Sequence, residues 1–302
     1  MKFGSVPDRL LHTIDLRLPP EPEANALVLP GVRAVSPMVY VGAATWGAAS
    51  WAGKIYPSKT PAARFRQLYP QSFDAVELNA THYTIYPPHI IRQWAALAGE
   101  KAFKFCPKFP QSISHHSGFE QVQEQTAAFL EGIWAFEKHL GPAFLQVSEN
   151  FSPQGKDVLY AYLASLLTNA AYFLEVRHPA WFSDARQAAE LFETLQAMHI
   201  GLVITDTPGR RDLVHLRLTV PKLFLRFVCN GVHPTSFSRT DAWIGQIQNW
   251  INQGLQEAFI FLHPSADAAV PELATYWITK LNAACGLQLK PPALLQPQLF
   301  ND

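Results

Sequence analysis

Eight short apolar runs, spread at similar intervals, constrain the fold of this chain more than any other feature. They cover residues 38–44, 75–79, 103–108, 143–148, 172–177, 201–206, 223–228 and 258–263. Each is nearly continuous in apolar character rather than alternating, as expected of a parallel strand covered on both faces. Their starts lie roughly 22 to 40 residues apart, bracketing the ~30 residues of one strand–helix–strand unit. The intervals carry helical periodicity. Ser183 can cap a helix whose apolar positions are Ala188, Leu191, Leu195 and Met198. Asp241 can start another, with Ile244, Ile247, Trp250, Ile251 and Leu255 inward and Gly254 near its end. Phe119, Val122, Phe129, Ile133 and Phe136 mark a third. Eight such units in one chain of this length predict an α/β fold, a single (β/α)8 TIM-type barrel. The rival, an open doubly wound sheet binding a dinucleotide, needs a GxGxxG after the first run, and none follows. The interval between runs six and seven is short and holds Pro208 and Pro221, so its helix is the least expected.

The flanks read differently. Residues 1–37 carry six prolines and no sustained period, which predicts an arm lying along a barrel of residues 38–286. Residues 287–302 form a second proline-broken tail. Composition narrows the class. Charged residues make up 16% of the chain, and 24 basic residues balance 24 acidic ones. Charge-driven disorder and a uniformly basic nucleic-acid coat are thereby excluded. Three scattered cysteines build neither a disulfide framework nor a CxxC zinc site. No apolar run approaches the ~20 residues of a membrane span, and the N-terminus has no signal-peptide core. A cytoplasmic protein is expected.

Chemistry in a barrel of this type gathers at the C-terminal strand ends, where the following loops converge. Nearly every run here is apolar until its last one to three residues. In order the ends offer Trp46, Glu77 with Asn79, Lys108, Gln146, then Glu175, Arg177 and His178, then Asp206, Arg226 and His263. Glu77, Lys108, Glu175, His178 and Asp206 are the candidate catalytic groups, because interior charge is costly and tends to mark function. Trp46, Asn79, Gln146, Arg177, Trp181 and Arg226 are candidate substrate contacts. Guanidinium forks suit carboxylates and phosphates, so an anionic or sugar-like ligand is expected near Lys108, Arg177 and Arg226. Trp46, Trp51, Tyr56, Tyr83 and Trp181 offer rings to wall such a pocket. Core packing is the competing explanation for those rings, and simple ion pairing the competing one for the charges.

The segments GAATWGAASWAGKIYP (residues 42–57), FDAVELNATHY (73–83), FKFCPKFPQSISH (103–115), LGPAFLQVSENF (140–151) and EVRHPAW (175–181) occur in one order, followed by the DTP starting at Asp206. Together they resemble domain-of-unknown-function family 72, the YecE-like proteins, across residues 39–285. The resemblance implies a TIM-barrel-like fold and no established activity. It also implies, by analogy of fold with endonuclease IV-type barrels, a link to nucleic-acid processing. The chain departs from the family pattern at three places. His82 stands where an aromatic is usual, Cys229-Asn230-Gly231 follows Arg226 in place of a His-Gly pair, and His263-Pro264 replaces paired asparagines.

Three functions compete at this stage. One is a general acid–base enzyme, hydrolase or lyase/isomerase in type, acting on an anionic substrate. Another is a metal-dependent phosphodiesterase drawing on Glu77, Glu175, His178, Asp206 and His263, although three cations among them repel metals. The third is a non-catalytic barrel that binds a ligand or partner in DNA maintenance. The sequence leaves the cofactor open. At the far end, Gln296, Leu299 and Phe300 resemble the short peptide by which bacterial proteins dock on the DNA sliding clamp, against the alternative that they fold back over the barrel.

Overall fold

Residues 4–166 and 170–295 are described by the computed structural model of the chain. Among the described residues the apolar runs become nine strands: β1 (Met38–Ala43), β2 (Ala75–Leu78), β3 (Lys104–Pro107), β4 (Ala143–Gln146), β5 (Tyr172–Glu175), β6 (Gly201–Leu202), β7 (Ile204–Asp206), β8 (Lys222–Cys229) and β9 (Glu257–Pro264). They pair in the orders β3-β2-β1-β9-β8-β7 and β4-β5-β6, and every pairing is parallel. Two seams join these sheets into a barrel. At the first, β6 and β7 are halves of the sixth run, separated only by Val203, whose N–H donates to the Leu174 carbonyl at 2.8 Å. β6 pairs with β5 and β7 with β8, so one strand belongs to both sheets. At the second, parallel bridges Phe105–Leu140 and Lys108–Phe144 tie β3 to the β4 segment. The Gly141 and Phe109 N–H groups donate there to the Phe105 and Phe144 carbonyls at 2.7 and 2.9 Å.

The apolar side chains sort into two layers. A small cluster of Tyr40, Ala75, Cys106, Phe144, Phe173, Val203, Phe224, Phe259 and Phe261 takes at least one residue from every strand run and fills the lumen. The larger cluster lies between the strands and the surrounding helices. Gly42 lets two strands close up, since a Cβ there would lie 2.0 Å from the Ala75 carbonyl oxygen.

Helix boundaries follow the local chemistry more than the apolar period. The helix Ala185–Ala197 is capped by Asp184, not Ser183: its carboxylate accepts from the Arg186 and Gln187 N–H groups, both at 2.9 Å. The helix Pro234–Gln253 begins well before Asp241, because His233 supplies the cap and Pro234 suits the first turn. Asp241 instead accepts from the Tyr276 hydroxyl on the next helix. Gly254 ends the helix in the left-handed region, at φ 110°. Among the described residues no helix is long and apolar enough to cross a membrane.

The interval between β7 and β8 holds only the short 3-10 turn Arg211–Leu213. The N-terminal arm lies along that gap. Gly4 accepts from the Thr207 hydroxyl at 2.8 Å at the upper rim, and the Asn230 amide donates to the Val6 carbonyl at 2.7 Å. Lower down, Glu21 accepts from Gln246, Asn249 and Trp250 of the adjacent helix. The buried Asn25 bonds the Leu216 carbonyl and the Leu218 N–H at 2.8 and 2.9 Å. Gly31 and Ala34 then donate to the Gln253 and Ile251 carbonyls before β1 starts.

Candidate functional site

Side chains two residues apart on a strand share a face. Counting two residues onward from the apolar lumen layer therefore names the next layer up. Ala75 leads to Glu77, Cys106 to Lys108, Phe144 to Gln146, Phe173 to Glu175, Val203 to Thr205, Phe224 to Arg226 and Phe261 to His263. All seven are polar and buried. A ring of aromatic and small residues thus carries a ring of polar ones, five of the seven ionisable, just below the C-terminal mouth of the barrel.

Arg226 is the hub. Its Nε and one terminal nitrogen donate to the two Glu77 oxygens, each at 2.9 Å. Its other terminal nitrogen donates to both Glu175 oxygens at 3.0 and 2.9 Å. The guanidinium rests 5.7 Å above the centre of the Phe144 ring. Glu77 also accepts from Asn79 at 2.9 Å and bonds His263 Nε2 at 2.8 Å. Glu175 accepts from Arg177 Nε at 2.9 Å, Thr205 at 2.8 Å and Gln146 at 2.6 Å. Each carboxylate therefore has four or more donors around its oxygens, close to its full lone-pair capacity.

That pairing fixes the protonation states. Burial pushes the Glu77 carboxyl up, but Arg226 and His263 outweigh it and hold it well below the usual range. Glu175 is likewise raised by burial and brought down to about 2 by Arg177 and Arg226. Burial lowers His263 despite Glu77, so the ring is neutral and its Nε2–H donates to the carboxylate.

Lys108 is the exception in the ring. It is 7% exposed, and its Nζ donates to Gln146 Oε1 at 2.9 Å. Among the described residues no carboxylate lies within ion-pair distance of it, whereas six other lysines are paired with Asp or Glu. Burial, followed by the charge of Arg226, brings its ammonium down to about 8. The ring thus holds three cations (Lys108, Arg226 and, one step above Glu175, Arg177) and two carboxylates. The half-exposed Glu149 approaches Arg177 only to 3.7 Å.

Several sequence expectations are redirected. Asp206 follows Thr205 on the strand and so faces outward. Its carboxylate accepts from Trp243 Nε1 at 2.7 Å and pairs with Arg239 at 2.7 Å and with Arg211, all outside the lumen. His178 turns to the surface, where its Nδ1 accepts the Ala180 N–H at 3.2 Å beside Ser152, Asp184 and Gln187. Trp181 is fully buried in the outer layer, stacked on Phe151 and donating to the Phe151 carbonyl at 2.9 Å. Trp46 packs edge-on against Trp94 and the outward ring of Phe105. Neither tryptophan walls the lumen. Trp51 and Tyr56 are outer core as well, and Tyr83 is 71% exposed. Arg226 is surrounded by carboxylates, which removes it as the anion contact expected of it. Glu77, Asn79, Lys108, Gln146, Glu175, Arg177 and Arg226 do come together. His263, expected only as a strand-end group and a ligand of the metal alternative, joins them beside Glu77, and Thr205, which was not expected, joins at Glu175; the two-residue period from the lumen layer is the signal that finds Thr205.

His82, one of the departures from the family pattern, sits beyond Lys108. Its Nδ1 bonds the Phe109 carbonyl at 2.9 Å, and its ring meets His115 edge-on at 5.1 Å. Burial and then Lys108 bring it to about 4, so it adds no charge at neutral pH.

Residues 40–297 match the family model described as "Protein of unknown function DUF72". The chain is 26% identical over 259 residues to the UPF0759 protein YecE of Escherichia coli (strain K12), covering 80% of this chain and 92% of that one. It is 28% identical over 153 residues to the UPF0759 protein YunF of Bacillus subtilis (strain 168), covering 48% and 53%. The crystal structure of a DUF72 family protein from Enterococcus faecalis V583 superposes with a TM-score of 0.62 at 15% identity, over 84% of this chain and 99% of the other. The match of the family model over most of the length, with full-length similarity to YecE, makes this chain a member of the DUF72 family.

Proposed function

We propose that the mouth of the barrel is the active site of an enzyme acting on a small anionic substrate, phosphorylated or carboxylate-bearing, with Lys108 as the working group. One observation carries this reading: Lys108 is a buried cation on the lumen wall with no carboxylate partner among the described residues. Burying an unpaired charge is costly, and a bound anion offsets that cost. The expected acid–base role moves accordingly. Glu77 and Glu175 are held ionised with their oxygens occupied, which makes them poor proton acceptors and good scaffolding. An amine near 8 gains and loses its proton close to neutral pH.

The phosphodiesterase alternative is less well supported. Among the described residues no group of three His, Cys, Asp or Glu side chains is arranged to hold a metal ion. Asp206 and His178, two of the ligands it needs, face away from the lumen. The clamp-docking alternative rests on Gln296, Leu299 and Phe300, which lie outside the described residues.

Phosphate and sulfate titrations followed by thermal melting test the proposal. Saturating anion is expected to raise the melting temperature of the wild type and not of Lys108→Met. Equal shifts in both proteins would remove Lys108 as the anion contact.

A further inference from the structure

Lys108 differs from an ordinary anion-binding lysine in what holds it. Its partner is an amide oxygen, and the orientation of that amide is not free. Gln146 Nε2 donates to Glu175 at 2.6 Å, which forces Oε1 towards Lys108 Nζ. A carboxylate in that place would hold the nitrogen and its proton together. An amide oxygen can accept from –NH3+ or –NH2 and carries no charge of its own, so it holds the nitrogen in place while favouring the ammonium less than a carboxylate would. Arg226 is tied to both glutamates beneath it, which leaves Glu77 and Glu175 no oxygen with which to neutralise the lysine. The result is a positioned, buried amine at a strand end, beside cationic neighbours. This is the environment in which a lysine becomes a nucleophile rather than a counter-ion.

We propose that Lys108 forms a Schiff base with the carbonyl carbon of a small anionic aldehyde or ketone, either a 2-oxo acid or a phosphorylated ketone. The inference rests on the anionic-substrate reading above and names the functional group that reading leaves open. The Nζ lone pair attacks the carbonyl carbon, a C–N bond forms, and the C=O π pair moves to oxygen. The oxygen then leaves as water. Of the three protons of the starting ammonium, one stays on nitrogen and two depart with that water. Ammonium plus carbonyl thus becomes protonated iminium plus water, with no oxidant or reductant and no change of charge. Conservation of the +1 charge suits this ring: Arg226 and the two glutamates below need no rearrangement when lysine becomes iminium.

The chemistry leaves a trappable bond. The full chain is incubated at pH 7 with pyruvate or with dihydroxyacetone phosphate, and sodium cyanoborohydride reduces any iminium to a stable secondary amine. Intact mass and peptide mapping then locate the adduct. With its amine near 8, Lys108 carries roughly two orders of magnitude more free base at pH 7 than an ordinary lysine. The adduct is therefore expected on Lys108 at least about tenfold above the exposed Lys59 and Lys290 of the same molecules, a margin that allows for the weaker intrinsic nucleophilicity of a less basic amine. It should be absent from that site in Lys108→Arg, whose fold is checked by circular dichroism. The two probes show whether carboxylate or phosphate is preferred. Labelling spread evenly over the lysines, while phosphate or pyruvate still raises the melting temperature of the wild type but not of Lys108→Met, overturns the Schiff base and leaves the anion site standing. Even labelling with no anion-dependent shift overturns both.

Discussion

Thr205 and Asp206 are neighbours on one short strand, yet they belong to two buried arginine–carboxylate clusters facing opposite ways. Outside the barrel, Asp206 gathers Trp243, Arg239 and Arg211. The remaining donors of those arginines end on backbone carbonyls: Arg239 on Val228 and Asp206, Arg211 on Leu16 and Arg17 of the arm. Inside the barrel, Thr205 joins Glu175, Arg226, Glu77 and His263, and the excess cation, Lys108, ends on one side-chain amide. With Arg177, which pairs with Glu175, the inner cluster sets three cations against two buried carboxylates, and the outer one sets two arginines against Asp206. In the outer one the surplus is absorbed by the scaffold; in the inner one Lys108 ends on a neutral side-chain amide. Buried charge alone therefore does not mark a site. What distinguishes the two is whether the surplus has a partner built into the chain.

The sharpest way to break this contrast is at Arg226. Arg226→Met strips Glu77 of its guanidinium and leaves Glu175 with Arg177 alone, and is expected to destabilise the fold by about 5 kcal/mol, the upper range for breaking a buried pair. Urea unfolding measures it. The pH dependence should change as well. With Glu175 near 2 in the fold, its contribution is present above its unfolded value of ~4.3 and is lost as pH falls from there towards 2. Arg226→Met should shift that loss to higher pH. Asp206→Asn comes next. It leaves Arg239 buried and short of charge, for an expected loss of about 3 kcal/mol. Phosphate binding at the lumen should be unaffected; a loss of binding beyond that due to unfolding would mean the two clusters act as one.

Lys108→Met has the smaller stability effect, and its sign is opposite below pH 8. The folded amine lies near 8 and the unfolded one near 10.4, so the cost of a buried ammonium is fully present below pH 8 and is relieved as pH rises towards 10. Relative to Lys108→Met, the wild type should gain up to about 3 kcal/mol of stability across that window. A flat difference between pH 7 and 10 would show that the lysine titrates normally. His178→Ala is the smallest, within about 0.5 kcal/mol of wild type and without effect on anion binding, as expected of a surface turn residue.

The barrel was legible because buried parallel strands write themselves as continuous apolar runs. The same continuity hid the site. With both faces of a strand apolar, nothing along residues 201–206 says which side chains turn inward, so Asp206 and Glu175 read alike as polar strand ends. The lumen layer that sets the parity is a tertiary fact, assembled from one or two residues of each strand. With it in hand, Thr205 enters the site, and Asp206, His178 and Trp181 leave it. The Asp184 cap was missed for a simpler reason: it is one residue from Ser183, and both types cap well.

The arm that fills the place of a sixth helix bears on how the molecule comes together during synthesis. Asn25 must wait for Leu216, 191 residues later, and Glu21 for Trp250, 229 residues later. A chain elongating at ~5–20 residues per second therefore carries this arm undocked for on the order of ten seconds or more. Closing such long loops is slow, and until it happens the flank beside β7 and β8 stays uncovered. The arm is thus made early and docked late, after most of the strands it covers have been synthesised.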